Sequence, residues 1–255
     1  MSNVIETLRQ YLPSALAEDD VIFYYTIILI LIIPACVFIQ APYGRFSGNW
    51  TKKFTFNGKY SWFVMEIVSA CVLLYTTGLS LVSTQWLLAG LWLIHYCNRA
   101  IIHPIRAPSM APIHLTVMLS AVLFNGVNGY TNGVWLRDHA VPFSVHLWIG
   151  IVLWAIGFTL NIYHDTLLFQ LRQQGKGYFI PHGGLFEYVS CANYLSELIE
   201  WTGYAIAAWP SAPALLFVAA TAANLMPRAR HTHRWYQQKF EDYPRNRTAI
   251  IPYLF

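Results

Sequence analysis

The chain has 255 residues, of which 56% are hydrophobic and 11% charged, whereas a soluble domain is about 25% charged. Its mean hydropathy of +0.41 and its 10 Trp, 16 Tyr and 15 Phe point to a bilayer as solvent. The net charge of +4 is modest and gathered in a few segments, which argues against a nucleic-acid partner.

The amino-terminal residues carry Glu6, Glu18, Asp19 and Asp20 with Arg9 as the lone base before the first apolar run, a poor leader for a cleaved signal peptide. A spanning helix needs about 20 mostly apolar residues. Seven stretches answer to that: 21–40, 62–83, 86–103, 111–130, 144–164, 188–208 and 211–226. The last is short and needs an extra turn into Pro210 or Pro227. If these spans alternate, 14 of the 16 Lys and Arg fall on one side, in the loops holding Arg45, Lys52, Lys53, Lys59, Arg99, Arg106, Arg172 and Lys176 and in the tail. Only Arg9 and Arg137 fall on the other. That bias predicts an all-α integral membrane protein of seven transmembrane helices, with the amino terminus outside and the tail cytosolic. Residues 1–255 read as a single domain, with 1–60 as an amino-terminal helix and loop and 227–255 as a basic tail.

In chain order, the first buried charge is Glu66, one turn into its span. A charge at mid-bilayer costs about 2.5–3.5 kcal/mol on insertion scales, so it must face a bundle interior or a wet cavity. The segment HYCNRAIIHPIR places Tyr96 and Arg99 one turn apart, with Arg106 after a proline break. Tyr96 and Glu66 come from antiparallel neighbours, and together they could clamp a carbonyl oxygen that gains negative charge. FNGVNGY, residues 124–130, reads as close helix packing through its glycines.

In NIYHDTLLFQLR, Asn161 and Asp165 share a helix face, and Arg172 lies two turns further along the same line. This stripe suits a sugar, amide or phosphate ligand. Gly183-Gly184 reads as a turn. NYLSELIEW aligns Asn193, Glu197 and Glu200 on one face of an otherwise apolar helix. The tail RARHTHRWYQQKFEDYPRNRTAIIPYLF mixes Arg and His with aromatics, which suits an anion or lipid headgroups. Cys36, Cys71, Cys97 and Cys191 are scattered and read as buried free thiols. No metal site is predicted, since His231 and His233 lack partners. No glycine-rich dinucleotide or P-loop motif is present.

GGLFEYVSCANYLSELIEWTGYA (183–205), NIYHD (161–165), FEDYPRNRTAIIPYLF (240–255), LIHYCNR (93–99) and WFVMEI (62–67) resemble the steroid 5α-reductases, over roughly residues 60–255. A more distant likeness runs to very-long-chain enoyl-CoA reductases, sterol reductases and isoprenylcysteine methyltransferases. The resemblance implies NADPH-dependent reduction of the C4–C5 double bond of a lipophilic 3-oxo-Δ4-steroid. Hydride goes to C5, the enolate is stabilised, and a proton goes to C4. By position, Glu66 and Tyr96 match the pair that holds the C3 ketone. Asn161, Asp165, Arg172, Asn193, Glu197, Arg228 and Tyr236 match NADPH contacts, while Arg99, Arg106 and Glu200 are further polar candidates. Met65 replaces the usual Gln, and Thr232 stands where relatives have a third histidine.

The implied localisation is a multi-pass membrane protein, in the endoplasmic reticulum of a eukaryote or the cytoplasmic membrane of a bacterium. Membrane lipids are its surroundings, and no protein partner is evident. The alternatives are reduction of another conjugated enone such as a 2-enoyl-CoA, methyl transfer from S-adenosylmethionine to a prenylated cysteine, and a non-enzymatic scaffold or lipid-binding protein.

Overall fold

A computed structural model describes residues 6–7, 9–12, 14, 20–38, 53–78, 81–175 and 177–255, without side-chain detail for 31–38. Arg45, Lys52, Lys176 and the Cys36 side chain lie outside the described residues. Seven described helices have 15 or more residues: α1 (Asp20–Phe38), α2 (Gly58–Thr77), α3 (Ser83–Cys97), α4 (Leu115–Asp138), α5 (Val145–Gln173), α6 (Ala192–Ala207) and α7 (Ala212–Lys239). Two of them, α2 and α5, are long and apolar enough to cross a membrane on those criteria alone. Helix α4 carries Asn125, Asn128 and Asn132, α6 has 16 residues with two glutamates, and the part of α1 with described side chains, Asp20–Ile30, is apolar but too short to count by itself.

Side-chain caps explain several helix starts. Asn57 accepts from the amides of Lys59 and Tyr60 ahead of α2, Ser144 from Leu147 ahead of α5, and Ser211 from Ala214 ahead of α7. Several ends lie beyond the predicted ones. Helix α4 continues to Asp138, and α5 continues through Arg172 to Gln173. Helix α7 does not stop at Pro227 but runs to Lys239, beyond the end predicted for the last span. One proline removes a single ladder bond, and the turns after it are held by tertiary contacts. His233 meets Ser190 at 2.6 Å, and Tyr236 stacks on Tyr243 with centroids 5.3 Å apart.

Connecting segments gather at two ends. At one, β1 (Thr55–Phe56) pairs antiparallel with β2 (Ile113–His114), which ties the start of α2 to the start of α4. Arg172 reaches the Ser109 carbonyl at 3.4 Å, and Val189 bridges Thr248, so the α5–α6 loop and the tail meet. At the opposite end, Gln85 donates to the Leu136 and His139 carbonyls at 2.6 and 2.9 Å, while Thr84 donates to Val141. The end with the α5–α6 loop and tail is also the one that holds most of the basic residues.

Helix α5 shows how the bundle is packed. Its buried positions are Leu147, Gly150, Trp154, Gly157, Asn161, His164, Asp165 and Phe169, a 3–4 repeat that turns polar at Asn161, His164 and Asp165. Its exposed positions include Val145, Trp148, Ile149, Val152 and Ile156. Apolar outside and polar inside is the inverse of a water-soluble amphipathic helix. Backbones of α5 and α6 come close because Gly157 sits against the backbone of Glu200 and Gly203 against that of Trp154. Gly129 similarly sits against Ser69, as the packing reading of FNGVNGY requires. Of the described cysteines, all free, Cys191 is buried but Cys71 and Cys97 are exposed. Their expected burial is corrected: a thiol behaves as a small apolar group and sits on the same outer apolar surface.

Glycine contact makes a direct test possible. Gly157→Ala pushes a methyl into the Glu200 backbone and should cost about 1–3 kcal/mol, typical of overpacking. Gly90→Ala has open space around it and should be neutral or stabilising by up to about 1 kcal/mol. Thermal unfolding of the detergent-solubilised variants reads both.

Candidate active site

The residue that organises the interior is Arg99. Helix α3 ends at Cys97 and continues as a wide π turn, Asn98–Ile102, before a four-residue turn, His103–Arg106. Pro104 cannot donate, and its ring crowds the carbonyl one turn back, which favours such local widening. Arg99 in the wide turn and His103 just after it both reach Asp165. Arg99 Nη1 lies 3.4 Å from Asp165 Oδ2 and Nη2 lies 3.2 Å from Glu197 Oε2. His103 Nδ1 lies 3.0 Å from Asp165 Oδ2. Trp62 holds this group from α2: its indole donates to the Arg99 carbonyl at 3.0 Å, and its ring stacks on His103. The guanidinium carbon lies 5.1 Å from the Trp62 ring centroid, a cation–π contact.

Around this core, Asn193 Nδ2 donates to Asp165 Oδ1 at 3.1 Å, and Asn161 Nδ2 donates to the Asn193 carbonyl at 2.9 Å. The structure therefore brings Asn161, Asp165, Arg99, Asn193 and Glu197 into one hydrogen-bonded set from α3, α5 and α6. Glu200 is one turn deeper, with Oε1 2.7 Å from His95 Nδ1. Tyr96 is buried, and its hydroxyl donates to Asn125 Oδ1 at 3.3 Å, while Asn125 Nδ2 donates to the Met65 carbonyl at 2.7 Å. Glu66, on the next residue, lies within electrostatic reach of Tyr96, Arg99, His95, Glu197 and Asn125. Glu66 and Tyr96 thus both meet Asn125.

The remaining candidates sit apart. Arg106 and Arg172 are exposed at the basic end, where Arg106 meets Thr166 at 2.6 Å. Arg228 lies with its guanidinium carbon 5.6 Å from the Tyr194 ring centroid. Tyr236 is buried in the tail stack with Tyr243 and Phe240. Two cavities, about 450 and 390 Å³, run along α7 and Phe255 and share Arg230 and Arg234. Neither reaches the Arg99 set, whose carboxylates are closed over by protein cations.

In the tail, Arg247 is buried and donates to the Pro181 carbonyl at 2.8 Å, so at least one tail arginine is structural. Glu187, outside the apolar helices, is held below the usual carboxylate range, first by the Gly183 amide and further by Arg247 and His182. Sequence reasoning did not single out His95, His103, Asn125 or Trp62. His103 had one available signal, its position four residues after Arg99.

Residues 111–255 match the family model described as 3-oxo-5-alpha-steroid 4-dehydrogenase. Steroid 5-alpha-reductase DET2 of Solanum lycopersicum is 36% identical, covering 94% of this chain and 99% of its own length. 3-oxo-5-alpha-steroid 4-dehydrogenase 1 of Rattus norvegicus is 37% identical, covering 85% and 87%. That of Mus musculus is 38% identical, covering 85% and 88%.

Removing one member of a buried ion pair leaves the other uncompensated. Arg99→Leu should therefore cost about 3–5 kcal/mol, seen as a lower melting temperature in detergent; an unchanged one would show that Asp165 and Glu197 do not depend on it. For Glu187 the folded value is depressed, so its stabilisation is present above the ordinary 4.5 and lost as pH falls through the lower folded value. Across that acid window the wild type should lose stability more steeply than Glu187→Gln.

Proposed function

Since the chain belongs to the 3-oxo-5α-steroid 4-dehydrogenase (steroid 5α-reductase) family, oxidoreductases of steroid metabolism, we propose that it reduces the C4–C5 double bond of a 3-oxo-Δ4-steroid with NADPH. The observation that carries this reading is the meeting of Glu66 and Tyr96 at Asn125, beside the polar set around Arg99. Two O–H groups there can donate to one ketone oxygen and stabilise the negative charge that develops on it. The enone is electrophilic at C5 by conjugation, so no protein nucleophile is required.

The donor chemistry of the interior fits a dinucleotide. To hold it, Asn193, Glu197, Asp165 and Asn161 would exchange part of their contacts with Arg99, His103 and one another for ribose hydroxyls and a carboxamide. Arg172 and Arg228, nearer the basic end, suit phosphates. When bound, the reduced nicotinamide supplies the hydride. Glu66 and Tyr96 then hold the enolate oxygen, and a proton completes C4. Trp92, Trp201 and Tyr204 pack beneath Tyr96 and keep water from that end.

The inverted packing of α5 supports a bundle of seven membrane helices, in which the lipophilic substrate arrives from the bilayer. The basic end would face the cytosol and admit the cofactor. A 2-enoyl-CoA remains the second reading, because Arg230 and Arg234 edge a cavity where a nucleotide phosphate could rest.

Incubating purified protein and NADPH with a 3-oxo-Δ4-steroid, and separately with a long-chain 2-enoyl-CoA, should give the 5α-reduced steroid; reduction of the thioester alone would select the second reading. Glu66→Gln should lower kcat about 10²–10³-fold, as loss of an oxyanion donor does, with NADPH affinity nearly unchanged. Arg172→Ala should instead weaken NADPH binding about 10–100-fold, the worth of one charge-assisted hydrogen bond.

A further inference from the structure

The cavities along α7 are left unused by this mechanism. The first is lined by Ala219, Ala222, Ala223 and Met226, and then by Arg230, His231 and Arg234. These positions recur every three or four residues, so they form one face of α7. Up to Pro227 that face is small and apolar; beyond it the face is basic. The change falls where the predicted last span ends, at the boundary between hydrocarbon and headgroups. The cavity's volume, about 450 Å³, lies in the range of small-molecule sites, about 300–1,000 Å³. Its apolar stretch from Ala219 to Met226 rises about 10 Å along the helix, enough for the upper part of an acyl chain.

The charge there is unbalanced. No Asp or Glu lines either cavity, and the second adds His233, Gln237 and Arg247 to the shared Arg230 and Arg234. Arg247 is engaged by the Pro181 carbonyl and by Glu187. Among the described residues, neither Arg230 nor Arg234, both exposed, forms an ion pair. Phe255 borders both cavities, and its backbone oxygen accepts from the amides of Ile250 and Ile251 at 2.7 Å, which keeps that residue in place. Two arginines one helical turn apart suit an anionic phosphate, whereas a wall of alanine and methionine offers a sugar or base almost no hydrogen bonds. Neither cavity reaches the Arg99 set, so what rests here is held rather than reduced.

We propose that this face of α7 holds one anionic phospholipid, with its phosphate on Arg230 and Arg234 and one acyl chain along Ala219, Ala222, Ala223 and Met226. Hydrocarbon covers the small side chains at the depth where chains lie, and the headgroup meets the arginines at the depth where phosphates lie. Both halves of the amphiphile are matched at once. A zwitterionic lipid presents the same chains but brings a cation beside the two arginines, which repel it. The preference is therefore for a net negative headgroup. The inference needs α7 to cross the membrane interface near Pro227; it does not need the steroid chemistry, and its readout involves no turnover.

The test uses the full chain in neutral detergent, titrated with phosphatidylglycerol or phosphatidylcholine, with bound lipid counted by native mass spectrometry. One phosphatidylglycerol should bind per chain, at least about tenfold tighter than phosphatidylcholine, and should raise the melting temperature as its concentration grows. A basic residue at an anionic surface is worth about fivefold in binding, so Arg230→Gln with Arg234→Gln should weaken it about 20–30-fold. Lys239→Gln with Arg245→Gln removes the same charge from exposed positions outside both cavities. That pair should change binding by less than about threefold, since salt screens exposed charges that are not in contact. Ala223→Trp fills the apolar half without altering charge and should abolish the site while the protein still melts cooperatively. Glycerol 3-phosphate, which has the phosphate and no chain, should not displace the lipid from the wild type, an arm that needs no variant. Equal binding of the two lipids overturns the proposal, as does an Ala223→Trp protein that binds normally. Equal weakening by the two double variants assigns a diffuse basic surface and also overturns it. Displacement by glycerol 3-phosphate would assign a plain phosphate site, and displacement by coenzyme A or NADPH a nucleotide site; either result overturns it.

Discussion

A single guanidinium shared between two carboxylates in a nearly dry interior is the constraint on which the site depends. Arg99 draws Asp165 on α5 and Glu197 on α6 towards the end of α3. Each partner fixes the next group outward: Asp165 receives Asn193 and His103, and Asn193 receives Asn161. A cation buried without both acids, or either acid without the cation, would be costly enough to reorganise the bundle. Glu66 of α2 and Tyr96 of α3 lie within electrostatic reach of this same network.

Close helix packing makes this network possible. Without a side chain at Gly157, the backbones of α5 and α6 meet beside Glu200, and the polar residues that follow on each helix then face each other. The outer surface of α5 is left to Val145, Trp148, Ile149, Val152 and Ile156. In water this arrangement would expose apolar area and bury charge together. In a bilayer both tendencies are satisfied, since polar groups can only turn inwards and find one another.

Much of the site could be read along single helices. Asn161 with Asp165, and Asn193 with Glu197, are visible because a helix repeats every three to four residues. Glu66 and Tyr96 were legible as buried polar groups on neighbouring spans. The partners they meet were not. Asn125 joins Tyr96 to the backbone at Met65 from a third helix, and Trp62 holds Arg99 from across the bundle; such contacts depend on how helices rotate against each other, which no single helix encodes. The π turn at Asn98–Ile102 has only Pro104 as a local cue. The continuation of α7 past Pro227 was also hidden, because one contact that stabilises it comes from Ser190, distant in sequence, and another from Tyr243, where the chain folds back after the helix ends. Tyr236 accordingly sits in the tail stack, away from the acids of the interior.

The account is tested most directly by an experimental structure of the protein with NADPH and a 3-oxo-Δ4-steroid bound. It predicts the steroid ketone within about 3 Å of both the Glu66 carboxyl and the Tyr96 hydroxyl, with the nicotinamide and its ribose against Asn193 and Glu197. A ketone oxygen bound away from both Glu66 and Tyr96, or a cofactor lodged along the outer face of α7, would contradict it.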